Sequence, residues 1–431
     1  MGIAIHTTND INGEDYQCRI RWRYAGEDNW HGYYGMGLHK FNSKGYGEAS
    51  LDWCVWYEHM PHGDEHFEPD KQVYYTIWVQ YPADNDAYFE GSFYTAPPEN
   101  TQTLIFYGIG DTQNEPKDSW SDSNGHYYAS VMNSLEEDMI RIGPAAKKLL
   151  IHCGDLNFNG PRTYYSPAKS AWNREFFGRT CNNNGGNRDK ALWVLSHVPV
   201  MVTVGNHDWM WDSHPDRNSI CHYVAAYPYD MYHYTNNPTN ITLDEACNHD
   251  WDDHDNPEIL YYSFDYGPAH FISLSTFPAD DNDHSTHFGA GSHQVAWLKN
   301  DLASTDKEWI IVFTHIPLVD GKGIYNPTAF AACEPLFHLY GVDIVLQGHQ
   351  HFYVRKHYNE IPYLIIAGGG GQLFSSNQSG AEVYCNQHHF WTRFEIVNSD
   401  SCRAFTQAID YYGYPWVVID DFYFHNRKSK K

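Results

Sequence analysis

A chain of 431 residues, 42% of them hydrophobic, is too long for one ordinary core and carries apolar material for two domains. Its 28 basic against 54 acidic side chains leave a formal charge of -26, which repels a phosphate backbone and excludes nucleic acid as a partner; the 27 histidines, once protonated, would offset nearly all of it, which suits an acidic or extracellular setting. No apolar run reaches the roughly 20 residues of a membrane span, and the start Met1-Gly2-Ile3-Ala4-Ile5-His6 has neither a signal-peptide core nor, with His6 in sixth place, a good myristoylation signal.

In chain order, residues 18–24, 50–57 and 73–79 are short runs of aromatic and β-branched side chains separated by polar turns, with no competing helical period. They predict a small all-β sandwich over residues 1–98, closed by a linker at 95–100. From residue 103 brief apolar runs alternate with amphipathic stretches, the pattern of an α/β layered fold over 99–431. Strands are expected at 103–107, 149–153, 200–204, 270–275, 309–313, 342–346 and 363–367. Val131, Leu135, Met139 and Ile142 recur at helical spacing, and further helices fit 189–196, 293–303 and 329–339. The polar stretches 181–188 and 248–257 read as surface insertions, and 427–431 as a solvated basic tail.

Almost every expected strand ends in a metal-capable side chain. Asp111 follows Gly110, Asp155 follows Gly154, Asn206-His207-Asp208 follows Gly205, His315 follows Thr314, and His349 and His351 bracket Gln350 after Gly348. Ligand sites in open α/β sheets form where strand ends converge, so residues this far apart in sequence can meet. A glycine before each ligand is expected to make the sharp turn into the site. Carboxylate and amide oxygens mixed with imidazoles suit manganese, zinc or iron, and one carboxylate can bridge two ions.

These five motifs, in this order, resemble those of the calcineurin-like metallophosphoesterases. The similarity to purple acid phosphatases extends through Tyr262-Ser263-Phe264-Asp265-Tyr266-Gly267-Pro268-Ala269-His270-Phe271, Glu334-Pro335-Leu336-Phe337 and Phe352-Tyr353-Val354-Arg355, and covers nearly the whole chain. The resemblance implies a four-layer α/β sandwich, two sheets flanked by helices, preceded by a fibronectin type III-like β-sandwich. It further implies two divalent ions, the first held by Asp111, Asp155 and His351, the second by Asp155, Asn206, His315 and His349. Asp155 then bridges, a hydroxide between the metals attacks phosphorus, and His207 binds a phosphoryl oxygen or protonates the leaving alkoxide.

The chain departs from the purple pattern at Phe158, where those enzymes carry a ligand tyrosine; without that phenolate, trivalent iron is disfavoured and two divalent ions (iron, zinc or manganese) are expected. Gln113, two residues after Asp111, offers an amide oxygen as a partial substitute, and Tyr164 and Tyr165 lie in the same loop as Phe158. Residues 316–328 lack the histidines with which many plant relatives hold phosphate. The expected activity is therefore hydrolysis of small phosphate monoesters, with a phosphodiesterase or nucleotide-pyrophosphate hydrolase, and a non-catalytic secreted binding protein, as alternatives. Setting Cys153 aside as a strand residue leaves eight cysteines for disulfides, with Cys18–Cys54 the favoured pair; the acceptor triplets at Asn240 and Asn377 also point to secretion. A homo-oligomer is compatible with all of this.

Overall fold

The computed structural model of the chain describes residues 2–8, 17–41, 53–59, 66–80, 87–113, 125–146, 148–156, 188–209, 261–276, 288–289, 291–370, 373–409 and 417–427. Its N-terminal strands form two antiparallel sheets. Strands β1 (Gly2–Thr8), β4 (Gly37–Phe41) and β5 (Trp53–His59) pair in the order β1-β5-β4; β2 (Gln17–Tyr24), β3 (His31–Gly35), β6 (Gln72–Gln80) and β7 (Ala87–Tyr94) pair in the order β3-β2-β6-β7. Alternation decides which face is packed: Cys18, Ile20 and Trp22 are buried between half-exposed Arg19 and Arg21, and join Val73, Tyr75, Ile77, Val79 and Phe93. This unit is tied to the rest of the molecule, because the Tyr75 hydroxyl donates to the Ser196 carbonyl at 2.8 Å and Lys148 meets Asp70 at 2.6 Å.

Two large sheets follow, face to face. In the first, β8 (Leu104–Ile109), β9 (Leu150–His152) and β10 (Val200–Val202) run parallel, and β20 (His389–Ile396), β21 (Ser401–Ile409) and β22 (Val417–His425) extend it antiparallel, in the order β10-β9-β8-β20-β21-β22. In the second, β12 (Ala269–Leu274), β13 (Trp309–Thr314), β16 (Ile344–Gln347) and β18 (Ile361–Ile366) are the parallel centre. Antiparallel β11 (Tyr262–Tyr266) closes one edge, and β17 (Tyr353–Tyr358) with β19 (Val383–Cys385) closes the other. A short hairpin, β14 (Val319–Asp320) with β15 (Gly323–Ile324), forms a sheet of its own and is held to the second sheet through Gln347 of β16.

Helices α1 (Gly125–Ile142) and α2 (Arg188–His197) precede β9 and β10, and α1 covers the first sheet through Tyr107 Oη to Asp138 at 2.7 Å and Trp391 Nε1 to Ser134 Oγ at 2.7 Å. The single-turn α3 (Asn206–Trp209) follows β10. Helices α4 (His293–Ser304) and α5 (Pro327–Tyr340) cover the second sheet. The boundaries of α5 are written locally: Asn326 caps the Ala329 amide, Pro327 opens the first turn, and Gly341 at φ +78° ends it. Strand β13 shows the layering, with Ile311 and Phe313 facing the other sheet while Ile310 and Val312 pack with Leu298, Leu302, Phe330 and Phe337. The helix–sheet–sheet–helix order is the one expected.

Each expected core strand is present within a few residues of its expected bounds. Strands β20 to β22 were not foreseen: β21 and β22 alternate buried and more exposed residues instead of forming a continuous apolar run, and β20, though buried almost throughout, is interrupted by the polar Thr392, Arg393 and Glu395. The disulfide expectation needs correction: Cys333, Cys385 and Cys402 are free thiols, two of them sealed in apolar packing, so they leave the set of eight. Cys153 is a buried thiol as expected, and the Cys54 side chain lies outside the described residues. So do Phe158, Tyr164, Tyr165, Asn240 and the polar stretches 181–187 and 248–257.

Candidate metal centre

The strand ends converge. Asp111 leaves β8, Asp155 leaves β9, Asn206 and His207 open α3, His315 leaves β13, and His349 and His351 leave β16. Asp111, Asp155, His349 and His351 themselves hold left-handed φ of +56°, +53°, +72° and +53°. That corrects the expectation for the glycines: most of the turning is done by Asp111, Asp155, His349 and His351 themselves, at a cost of about 1–3 kcal/mol each that the surrounding bonds must hold. The glycines instead allow close approach, since a Cβ on Gly205 would collide with Asp155, and one on Gly348 with the Cys153 carbonyl.

Two groups of donor atoms result. Ligand atoms of Asp155, His315 and His349 lie within 4.8 Å of one another, as do those of Asp111, Asp155 and His351. Asp155 belongs to both. Asn206 joins the first group, its Oδ1 standing 2.9 Å from His315 Nε2 and 2.9 Å from His349 Nδ1. His315 Nδ1 donates to the Cys153 carbonyl at 2.8 Å, which turns Nε2 toward Asp155 Oδ2 at 3.3 Å. Lone pairs of a carboxylate, an amide oxygen and two imidazoles therefore face one point, an arrangement that only protons or a cation can satisfy.

Gln113 is buried against the second group. Its Nε2 donates to Asp155 Oδ2 at 3.0 Å and to His351 Nε2 at 2.9 Å, while Oε1 is buried with no partner. The amide nitrogen thus stands where two would-be ligands converge, in the place of positive charge. Rotation of the amide by half a turn brings the orphaned oxygen inward. This donor set fits metal ions.

Burial raises Asp111 above the carboxylate range, and neighbouring Asp155 adds to the effect. Asp155 is held low despite its burial, because His315 lies against it. For His315, burial alone would lower the pKa, but the Asp155 charge and bond lift it to about 9. His349 goes the other way, down to about 3, through burial and the positive charge of His315. Without metal, the site therefore keeps a proton where an ion would sit.

Asp208 had no role in the sequence pattern beyond completing its motif. The structure buries it, with Oδ1 accepting the Leu156 amide and Oδ2 the Gly205 amide, each at 2.9 Å. It clasps the Asp155 loop to the Asn206 loop. His207 is half-buried, and its backbone amide donates to Asp155 Oδ1 at 2.8 Å.

Two facing mixed sheets with carboxylates, an amide and histidines at their shared strand ends define a metallophosphoesterase. A family model described as calcineurin-like phosphoesterase matches residues 105–353, more than half of the chain, and the chain belongs to that family. Purple acid phosphatase 18 of Arabidopsis thaliana is 29% identical over 168 residues, 38% of this chain and 32% of that one. A probable inactive purple acid phosphatase 9 of the same plant is 27% identical over 183 residues, 38% of this chain and 25% of that one. The chain thus spans about a third or less of the length of these relatives. Among solved structures, a purple acid phosphatase from yellow lupin seeds shares the fold with a TM-score of 0.66 at 17% identity, covering 98% of this chain and 72% of that one.

Proposed function

We propose that this chain hydrolyses small phosphate monoesters with two divalent ions, iron, zinc or manganese. One ion is assigned to Asp111, Asp155 and His351, the other to Asp155, Asn206, His315 and His349, with Gln113 as a further ligand through its amide oxygen. The observation that carries this reading is the convergence of Asp155 Oδ2, Asn206 Oδ1, His315 Nε2 and His349 Nδ1 on one point at the junction of two sheets. Bound ions would polarise the phosphoryl oxygens and make hydroxide available near neutral pH.

The chain's own residues supply the rest. Asp155 turns Oδ2 toward both His315 Nε2 and Gln113 Nε2 while its Oδ1 accepts the His207 amide, and Asp208 and the Cys153 carbonyl hold Asn206 and His315 in place. His207, fixed through its backbone to Asp155, hydrogen-bonds a phosphoryl oxygen and delivers a proton to the leaving oxygen. The two N-terminal sheets form a fibronectin type III-like domain, residues 1–98, and residues 99–431 the catalytic domain. An extracellular or lumenal site of action is part of the proposal, supported by the exposed Asn377 acceptor. No helix among the described residues is long and apolar enough to cross a membrane.

Elemental analysis, alongside hydrolysis of chromogenic phosphate mono- and diesters with zinc, manganese or iron(II) supplied, tests the reading. Two ions per chain and monoester turnover, both lost in Asp155→Ala, are expected. Diester turnover alone would reassign the substrate, and neither metal nor turnover would leave a binding protein.

A further inference from the structure

Two half-exposed aromatic rings stand against the histidines of the centre. Phe374 lies nearly face to face on the His351 imidazole, with centroids 4.5 Å apart and planes at 24°, yet it is 48% exposed. Tyr325 stands edge-on to His349 at 6.4 Å and is 40% exposed. Its hydroxyl shares a hydrogen bond with the side chain of Gln350, the residue between the two histidines. An apolar ring packed on a ligand by one face and left open to water on the rest is not part of a core.

The segments that carry these rings are fastened to each other and to the site. Gln378 is buried, and its Oε1 accepts the Gly321 amide at 2.6 Å. Lys322 Nζ reaches Ser376 Oγ at 3.3 Å, and the amides of Phe374 and Tyr325 donate to the carbonyls of His351 and Leu318. Rings held in advance by such bonds lose little conformational freedom when a ligand arrives.

We propose that Phe374 and Tyr325 form an aromatic rim that receives the planar organic half of the substrate, so that the favoured phosphoesters carry an aromatic group close to phosphorus. Offset or edge-on ring contacts favour an aromatic group over a saturated one of equal size. The inference rests on the phosphoesterase reading above and names the substrate class for that site.

The test uses metal-loaded protein and non-hydrolysable probes: phenylphosphonate, cyclohexylphosphonate and methylphosphonate, read by calorimetry and as competitive inhibitors, with metal content checked in each variant. Phenylphosphonate should bind the unaltered protein more tightly than cyclohexylphosphonate. In Phe374→Ala its affinity should fall about 5–10-fold, with methylphosphonate held within about 2-fold; Tyr325→Ala should act in the same direction, and Phe374→Trp should restore the preference. A purine nucleoside 5′-phosphonate, whose base stands a sugar away from phosphorus, should bind less tightly than phenylphosphonate; the reverse order, unchanged in Phe374→Ala and Tyr325→Ala, would overturn the rim. An unchanged phenyl-to-methyl ratio in Phe374→Ala and Tyr325→Ala, with methylphosphonate still bound, would overturn the rim. If the unaltered, metal-loaded protein binds no phosphonate and turns over no ester, the phosphoesterase reading falls and the rim with it.

Discussion

Replacing Asp208 by alanine isolates the clasp beneath the metal centre. The carboxylate is 1% exposed and accepts two buried backbone amides, Leu156 and Gly205, at 2.9 Å each. Hydrogen bonds to a buried charged acceptor contribute about 1.5–3 kcal/mol, and each N–H left without a partner loses its solvation as well, so Asp208→Ala should cost about 3–5 kcal/mol in total. Asp208→Asn keeps one acceptor oxygen and should cost about half as much. Because Leu156 adjoins Asp155 and Gly205 adjoins Asn206, the loss should also weaken metal affinity about 10–100-fold, the range seen when outer partners of ligands are removed. Denaturant unfolding of metal-free protein reads the first quantity, and zinc titration reads the second. A metal-free stability within about 0.5 kcal/mol of the unaltered protein, together with unchanged zinc affinity, would refute the clasp.

Two further outcomes follow from titrating groups. With His315 raised to about 9 in the metal-free protein, zinc loading at pH 7 should expel about one proton from its ring, visible as a buffer-dependent heat, and affinity should rise with pH between about 6 and 8; loading without proton release would contradict the assignment. Away from the centre, His270 bonds Asp265 at 2.7 Å and buried Asp301 at 2.9 Å. Burial opposes its charge, but these carboxylates lift it from 6.5 to about 9. A raised pKa contributes stability that is complete below about pH 6.5 and lost as pH passes about 9, so His270 should account for a fall of about 3 kcal/mol in unfolding free energy across that window, and the fall should be smaller by that amount in His270→Gln.

Much of this protein was legible before its structure. Parallel core strands such as β13 and β16 are short, wholly buried, largely apolar and followed closely by a metal-capable side chain, so Asp111, Asp155, Asn206, His315, His349 and His351 could be ordered along the chain from local pattern alone. The layer architecture followed from the alternation of strand and helix periods.

What the sequence could not determine was any property shared between residues distant in it. That Asp155 stands in both donor groups, that Gln113 faces His351 across 238 positions, and that Asp208 holds two loops together are facts of convergence at sheet ends, which no local window contains. The left-handed backbone at four site residues belongs with them, because such strain persists only where tertiary bonds enforce it. The two ring contacts are of the same kind: Phe374 and Tyr325 are ordinary aromatic residues in sequence, and only packing decides that their rings lie against His351 and His349 rather than in a core.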